Sequence, residues 1–424
     1  MEVYVQSLDQ LSVRLFQGQL DSYSLADSRG LSFRGLYGDK LGYAFTEKLD
    51  QASLDLLVSQ AADNAQHIDA GDVEEIFAGS PSYPQLDLER PPLAELTGTQ
   101  LIELAQGMSA VAKNADARVK FVHAGLSRIA GERLIVNTAG LDLLARGHYL
   151  TGAVDVVAVD GKERRTGREF WGGRDLSGLV PEALATAAVQ EATSMFGASP
   201  VSSGTYPVLL RRDVAAELLG TFSGVFSAEA VRKGLSLMRD KLGSPVASEL
   251  VTIVDDPFLP DGAGSTPFDA EGVACSRRDI IAQGVLTTYL HNLKTARKEG
   301  IASTGHAARA TYKSPVDVSP HNLLVAAGNQ SWDQLLAGMD RGLVITSVQG
   351  LHSGAKPVSG DFSLGATGFR VEGGVVVSPV DQITVAGNFF RLLHDVEVVG
   401  SDLEFRRSFG SPTLRVAGLA VAGK

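Results

Sequence analysis

"RRDVAAELLGTFSGVFSAEAVRKGLSLMRDKLG" (residues 211–243) sets Val214, Leu218, Leu219, Phe222, Val225 and Phe226 at three- and four-residue intervals. That spacing collects apolar side chains on one face of a helix. The pattern around it is different. "YPVLL" (206–210) reads as a short buried strand. From residue 250 onward, short apolar runs alternate with glycine turns, and helical spacing returns only near 292–299 and 332–339. The second half is therefore expected to be a β-rich, barrel-like domain around one long helix, spanning 205–424.

The first half reads differently. "EVYVQSL", "SVRLFQGQLDSYSLA" and "GLSFRGLYGDKLGYAFT" alternate apolar and polar residues and are punctuated by Gly18, Gly30 and Gly38. Helical spacing covers 53–68, Thr99–Asn114 and 179–196, and strand-like runs cover 118–127, 132–138, 141–147 and 149–159. "VDGKER" (159–164) is a hairpin signal, because Asp-Gly suits a two-residue primed turn. "GASPVSSGTYP" (197–207) marks the main boundary, and the four prolines of 78–92 mark a lesser one within a 1–196 region. The fold class is α+β: an N-terminal antiparallel sheet with helices, then the β-rich domain. Alternating βαβ units and glycine-rich phosphate loops are absent, which argues against a nucleotide fold.

The chain has 424 residues and a net charge of −11, with its basic residues in pairs such as Arg277–Arg278. Nucleic-acid binding needs a basic face, so no nucleic-acid partner is expected. No uninterrupted apolar run is long enough for a membrane helix, and the N-terminus lacks the pattern of a signal peptide. With a single cysteine, Cys275, the expected compartment is the cytoplasm.

Local motifs for chemistry are scarce. The eight histidines are nowhere closer than 15 residues, so no helical zinc pair exists. His291, His306 and His321 share a spacing of 15, read here as coincidence. Cys275 precedes two arginines, which favours a thiolate, but a small buried strand residue is the plainer reading. The acidic run 254–272 does not match a calcium loop.

Three long blocks carry a resemblance: "STPFDAEGVACSRRDIIAQGVLTTYLHNLKTARKEGIASTGHAAR" (265–309), "LHSGAKPVSGDFSLGATGFRVEGG" (351–374) and "SPVDQITVAGNFFRLLHDVEVVGSDL" (378–403). With the opening "LSVRLFQGQLDSYS", they resemble the TldD/TldE (PmbA) family, more closely its TldE (PmbA) branch. The resemblance implies paired subunits forming a cytoplasmic metallopeptidase that trims unfolded or modified peptides. The family's older label, modulator of DNA gyrase, sits poorly with an acidic chain. In the TldD branch the metal is held by a helical H-E-x-x-x-H, aided by a cysteine near the C-terminus. Counting back from Arg232–Gly234, those positions fall on Leu219, Gly220 and Gly224, and residues 401–416 hold no cysteine.

The resemblance therefore implies a non-catalytic subunit with no metal or other cofactor of its own, and zinc in a TldD-type partner. Its expected partners are that subunit, or a second copy of itself, and a peptide substrate. No residue is expected to be catalytic. His352, Ser353 and Asp361, in the glycine-rich 351–369 segment, are candidates for a peptide groove or subunit contact, against a plain structural turn. So are His306 and the pair Arg277–Arg278, one of which could grip a peptide carboxylate. The plainer reading of that pair is a salt bridge to Asp269 or Glu271. Two alternatives stand beside this: a stand-alone peptide-binding homodimer, and a hydrolase with an unrecognised site built on Cys275 and a distant histidine.

Overall fold

Gly161 takes a φ of 56° and lets Asp160 pair with Glu163, so the Asp-Gly hairpin forms where the sequence sets it. The computed structural model describes residues 1–67 and 75–424. The last residue of the expected 53–68 helix lies outside them.

The N-terminal strands are β1 (Glu2–Phe16), β2 (Gln19–Tyr37), β3 (Lys40–Thr46), β4 (Val119–Asn137), β5 (Asp142–Asp160) and β6 (Glu163–Gly173). They form one antiparallel sheet in the order β3-β2-β1-β4-β5-β6. Several are longer than the sequence pattern suggests. Gly30 does not break β2: it pairs with Gln6, and a Cβ there would fall 2.3 Å from the Tyr312 ring. The runs 118–127 and 132–138 are one strand, as are 141–147 and 149–159.

Helices α1 (Gln51–Gln66), α2 (Gly98–Ala115) and α3 (Pro181–Thr193) cover this sheet. α1 begins at Asp50, whose carboxylate accepts from the Ser53 amide, and α2 begins with a Thr97–Gln100 capping box. α2 and α3 bury Leu101, Ala105, Met108, Ala185, Ala188 and Ala192 against Leu15, Val122 and Val154. α1 buries Leu57 and Ala61 on Phe33 and Ala44. Glycine is required at 42, where a Cβ would meet the Ala61 carbonyl at 1.8 Å. Between α1 and α2, residues 75–90 form no regular helix or strand.

The C-terminal half holds a closed β-barrel. Its strands are β7 (Gly204–Leu210), β8 (Arg341–Gln349), β9 (Asp361–Glu372), β10 (Val375–Asn388) and β11 (Leu414–Ala422). The ring runs β8-β7-β11-β10-β9 and returns to β8, with only the β7–β8 pairing parallel. Closure removes the free edges that an open sheet would leave. α4 (Arg212–Phe222) packs Val214, Leu218, Leu219 and Phe222 into the same core, and the Phe222 and Phe389 rings stack 4.6 Å apart. The apolar face continues to Phe226, but the backbone breaks after α4 into a 3₁₀ turn (Ser223–Phe226) and a short helix (Ala228–Arg232). A second sheet, of shorter strands, includes Ile253–Asp255, Arg278–Ala282, Leu323–Val325, Glu404–Arg406 and Phe409–Ser411. No helix among the described residues is long and apolar enough to cross a membrane.

Candidate functional site

The N-terminal sheet and the barrel meet along a groove of about 1400 Å³. One wall is Asp155–Val157 of β5 with Arg164–Arg168 and Phe170 of β6. The other is the end of β8 with Gly350–His352, Gly365–Thr367 and Asp381–Ile383. Its floor includes Arg211 and, from α4, Asp213, Ala216, Glu217, Gly220 and Thr221.

Two irregularities shape the barrel wall. The β8–β9 register shifts between Ile345 and Ser347, and the β9–β10 register shifts between Ala366 and Gly368. Thr346 is thereby left as an extra residue on β8, and on β10 the two residues Asp381 and Gln382 stand opposite the single Thr367 of β9. Bulges of this kind re-aim side chains beside binding sites. The Oγ1 of Thr346 and Oδ1 of Asp381 are buried without a hydrogen-bond partner. Glu217 is raised above the usual carboxylate range by desolvation and by Asp213 beside it.

Of the glycine-rich candidates, only His352 lines the groove. The Ser353 hydroxyl bonds its own turn, donating to the Gly350 carbonyl at 3.3 Å. Asp361 ties the β9–β10 pairing. It accepts from Asn388 Nδ2 at 2.9 Å and Ser359 Oγ at 2.8 Å, and those bonds hold its carboxyl below the usual range. Within the glycine-rich segment, Leu351, His352 and Gly365–Thr367 line the groove, residues 357–360 form a turn, and residues from Asp361 onward belong to β9.

Neither Arg277 nor Arg278 lines the groove. Arg277 pairs with Asp279 at 2.9 Å, its neighbour on the same strand face, and lies 3.8 Å from Asp256. Arg278 donates to the Thr304 carbonyl. The salt bridge expected near Asp269 or Glu271 is not made by these arginines. Glu271 pairs with Arg34, and Asp269 accepts from the amides of Glu271, Val273 and Ala307.

His306 is fully buried, and its surroundings were not legible in the sequence. Its Nε2 lies 3.0 Å from Asp255 Oδ2 and its Nδ1 2.8 Å from Thr304 Oγ1. The His321 ring lies 5.1 Å away. His321 Nε2 is 2.8 Å from the Gly305 carbonyl and 3.3 Å from Cys275 Sγ, and the His321 amide donates to Asp255 Oδ1. The His306 amide donates to the His291 carbonyl and the Ser319 amide to the His306 carbonyl, so the chain around each of these histidines returns beside the one before it.

Asp255, His306 and His321 bring ligand-type atoms within 4.8 Å of one another. Asp255 Oδ2 and His306 Nε2 hydrogen-bond to each other and Asp255 Oδ1 accepts from the His321 amide, so the three residues join the segments around 255, 306 and 321. Burial pushes the His321 imidazole down to about 4 and, with Asp269 and Asp255 nearby, pushes the Cys275 thiol well above its ordinary value. A neutral thiol beside a neutral imidazole is not an activated nucleophile.

Three family models match the chain: PmbA/TldA metallopeptidase domain 1 at residues 1–65, the central domain at 91–196 and the C-terminal domain at 203–423. The chain belongs to the PmbA/TldD metallopeptidase family. It is 29% identical to the metalloprotease PmbA of Escherichia coli O157:H7, covering 100% of this chain and 92% of that protein. It is 27% identical to a metalloprotease TldD homolog of Haemophilus influenzae, covering 96% and 87%. A crystal structure from Thermotoga maritima, described as a modulator of a DNA gyrase, superposes with a TM-score of 0.93. It is 34% identical over 99% of this chain and 95% of that one. TldE from Thermococcus kodakarensis shares the fold, with a TM-score of 0.90 at 22% identity over 100% of this chain and 96% of that one.

The zinc that this family implies does not fit the residues at the α4 positions. Leu219 is 1% exposed and packs in the barrel core. Gly220 faces the groove, but a Cβ there would lie 2.9 Å from the Phe409 ring. Gly224 offers no side chain. None supplies the imidazole, thiolate or carboxylate that zinc takes.

Proposed function

We propose that this chain is the peptide-binding, metal-free subunit of a PmbA/TldD-type metallopeptidase assembly, working in the cytoplasm on unfolded or modified peptides. Bond cleavage is then supplied by a TldD-type subunit carrying zinc. One observation carries the reading: the groove runs onto α4 at Gly220, where the side-chain space is taken by Phe409 and the preceding Leu219 belongs to the core.

The groove suits an extended peptide. β6 is the outermost strand of its sheet, and its residues Arg164–Arg168 line the cleft. An edge strand offers backbone N–H and C=O groups in the spacing that an added strand needs. The neutral state of Cys275 speaks against the stand-alone hydrolase.

The test is metal analysis of the purified protein, followed by peptidase assays alone and with a TldD-type subunit. Less than a tenth of an equivalent of zinc is expected, with activity only in the mixture. One equivalent of zinc with activity from this chain alone would overturn the reading.

A further inference from the structure

Five non-glycine residues among those described have a positive φ: Gln17, Asp240, Gln283, Gln382 and Arg407. Two of them, Gln382 (φ 52°) and Arg407 (φ 60°), line the groove. Arg407 is the first of two residues linking the strands Glu404–Arg406 and Phe409–Ser411, where Arg406 pairs with Phe409. Two-residue turns with a positive φ there favour Gly, Asn or Asp, because a larger side chain crowds the backbone. Strain of this kind persists where the side chain has a task.

The charges around Arg407 single it out further. Six arginines line the groove. Arg165 pairs with Asp381, Arg168 with Asp155, Arg211 with Glu191 and Asp213, and Arg406 with Glu169 and Glu404. Arg164 and Arg407 have no ion-pair partner among the described residues. Arg407 also borders a second cavity of about 680 Å³, whose lining includes Trp171, Leu179, Leu184, Leu403 and Phe405. The acids of that cavity are engaged: Glu169 and Glu404 by Arg406, and Asp261 by the Arg174 amide.

We propose that Arg407 anchors the C-terminal carboxylate of a bound peptide, and that the adjoining cavity receives the apolar side chain of its last residue. Guanidinium and carboxylate meet in a two-point hydrogen-bonded pair, and the aromatic and aliphatic walls take the side chain. The substrate class is peptides with a free C-terminus ending in a large apolar residue. This rests on the reading of the groove as a peptide site.

The experiment uses fluorescein-labelled peptides of one sequence ending in Leu with a free carboxylate, in Leu amide, or in Asp with a free carboxylate. Their affinities are compared for the wild-type chain and Arg407→Gly, with thermal unfolding of both. The free-carboxylate Leu peptide is expected to bind about tenfold tighter than its amide and than the Asp peptide. Arg407→Gly is expected to lose the preference over the amide while melting at a higher temperature, because glycine relieves the strain. Equal affinity for acid and amide in wild type, or a preference kept in Arg407→Gly, would overturn the anchor and leave the peptide reading intact. A lower melting temperature in Arg407→Gly would remove the argument from strain and overturn it too. Failure of all three peptides to bind would overturn both readings.

Discussion

Arg34 and Glu271 lie 237 residues apart in the chain and meet at 3.1 Å with both side chains buried. Arg34 also donates through Nε to Glu2 at 2.8 Å. Burial alone would lower the guanidinium pKa, but Glu2 and Glu271 outweigh it and hold the charge in place. The trio fastens the N-terminal sheet to the C-terminal half. Removing one member of a buried ion network leaves an uncompensated charge, at about 3–5 kcal/mol. Arg34→Met should therefore lower stability by that order in chemical denaturation. A loss below 1 kcal/mol would show the contact to be incidental.

Stability should fall as pH drops from about 6.5 to 4. Burial holds His291 and His321 near 4 in the folded chain, while unfolded histidine titrates near 6.5. Between those values the unfolded state binds more protons, so acid favours unfolding, by about 3 kcal/mol per histidine at most. Asp269 opposes this: burial and Glu271 raise its carboxyl, so its contribution strengthens as pH falls. The difference between wild type and His321→Gln, from denaturation at pH 7 and pH 4.5, isolates the histidine. The variant should lose less stability across that range.

Restoring a ligand at the helix should not restore a metal centre. Leu219 sits among Phe222, Leu218 and the barrel strands. Leu219→His would place an unpaired imidazole there, at a cost of about 3 kcal/mol or more. The melting temperature should drop by several degrees, and zinc titration should show no added site. Tight zinc binding with undiminished stability would mean that the helix can turn this position outward.

His352→Ala should weaken peptide binding several-fold without changing the melting temperature, since His352 faces the groove and Ser353 and Asp361 do not. Asp361→Ala should do the reverse. It removes two side-chain hydrogen bonds at the start of β9, each worth about 1 kcal/mol, and leaves the groove lining untouched. Equal effects of both variants on peptide affinity would return the whole glycine-rich segment to a single role.

Much of the fold was readable because it follows from short-range backbone geometry. The α4 apolar face, the Asp160–Gly161 hairpin and the helix expected over Thr99–Asn114 each depend on residues within a few positions of one another. Strand lengths were not readable in the same way. Gly30 and the break near 128–131 look like punctuation, yet both sit inside strands whose pairing comes from distant partners.

The candidate site divides along the same line. The sequence by itself determined that Leu219, Gly220 and Gly224 carry no electron pair for a metal, because that is a matter of side-chain chemistry, and it carried the blocks shared with the family. Only the tertiary structure decided that His352 enters the groove while Asp361 secures a strand pair. It also decided that Asp255, His306 and His321 converge, that Glu271 takes Arg34 in place of Arg278, and that Arg407 stands between two cavities. Local periodicity records which face of a helix or strand is apolar. Which loops close on one another over tens or hundreds of residues depends on the packing of the whole chain, and no local spacing encodes it.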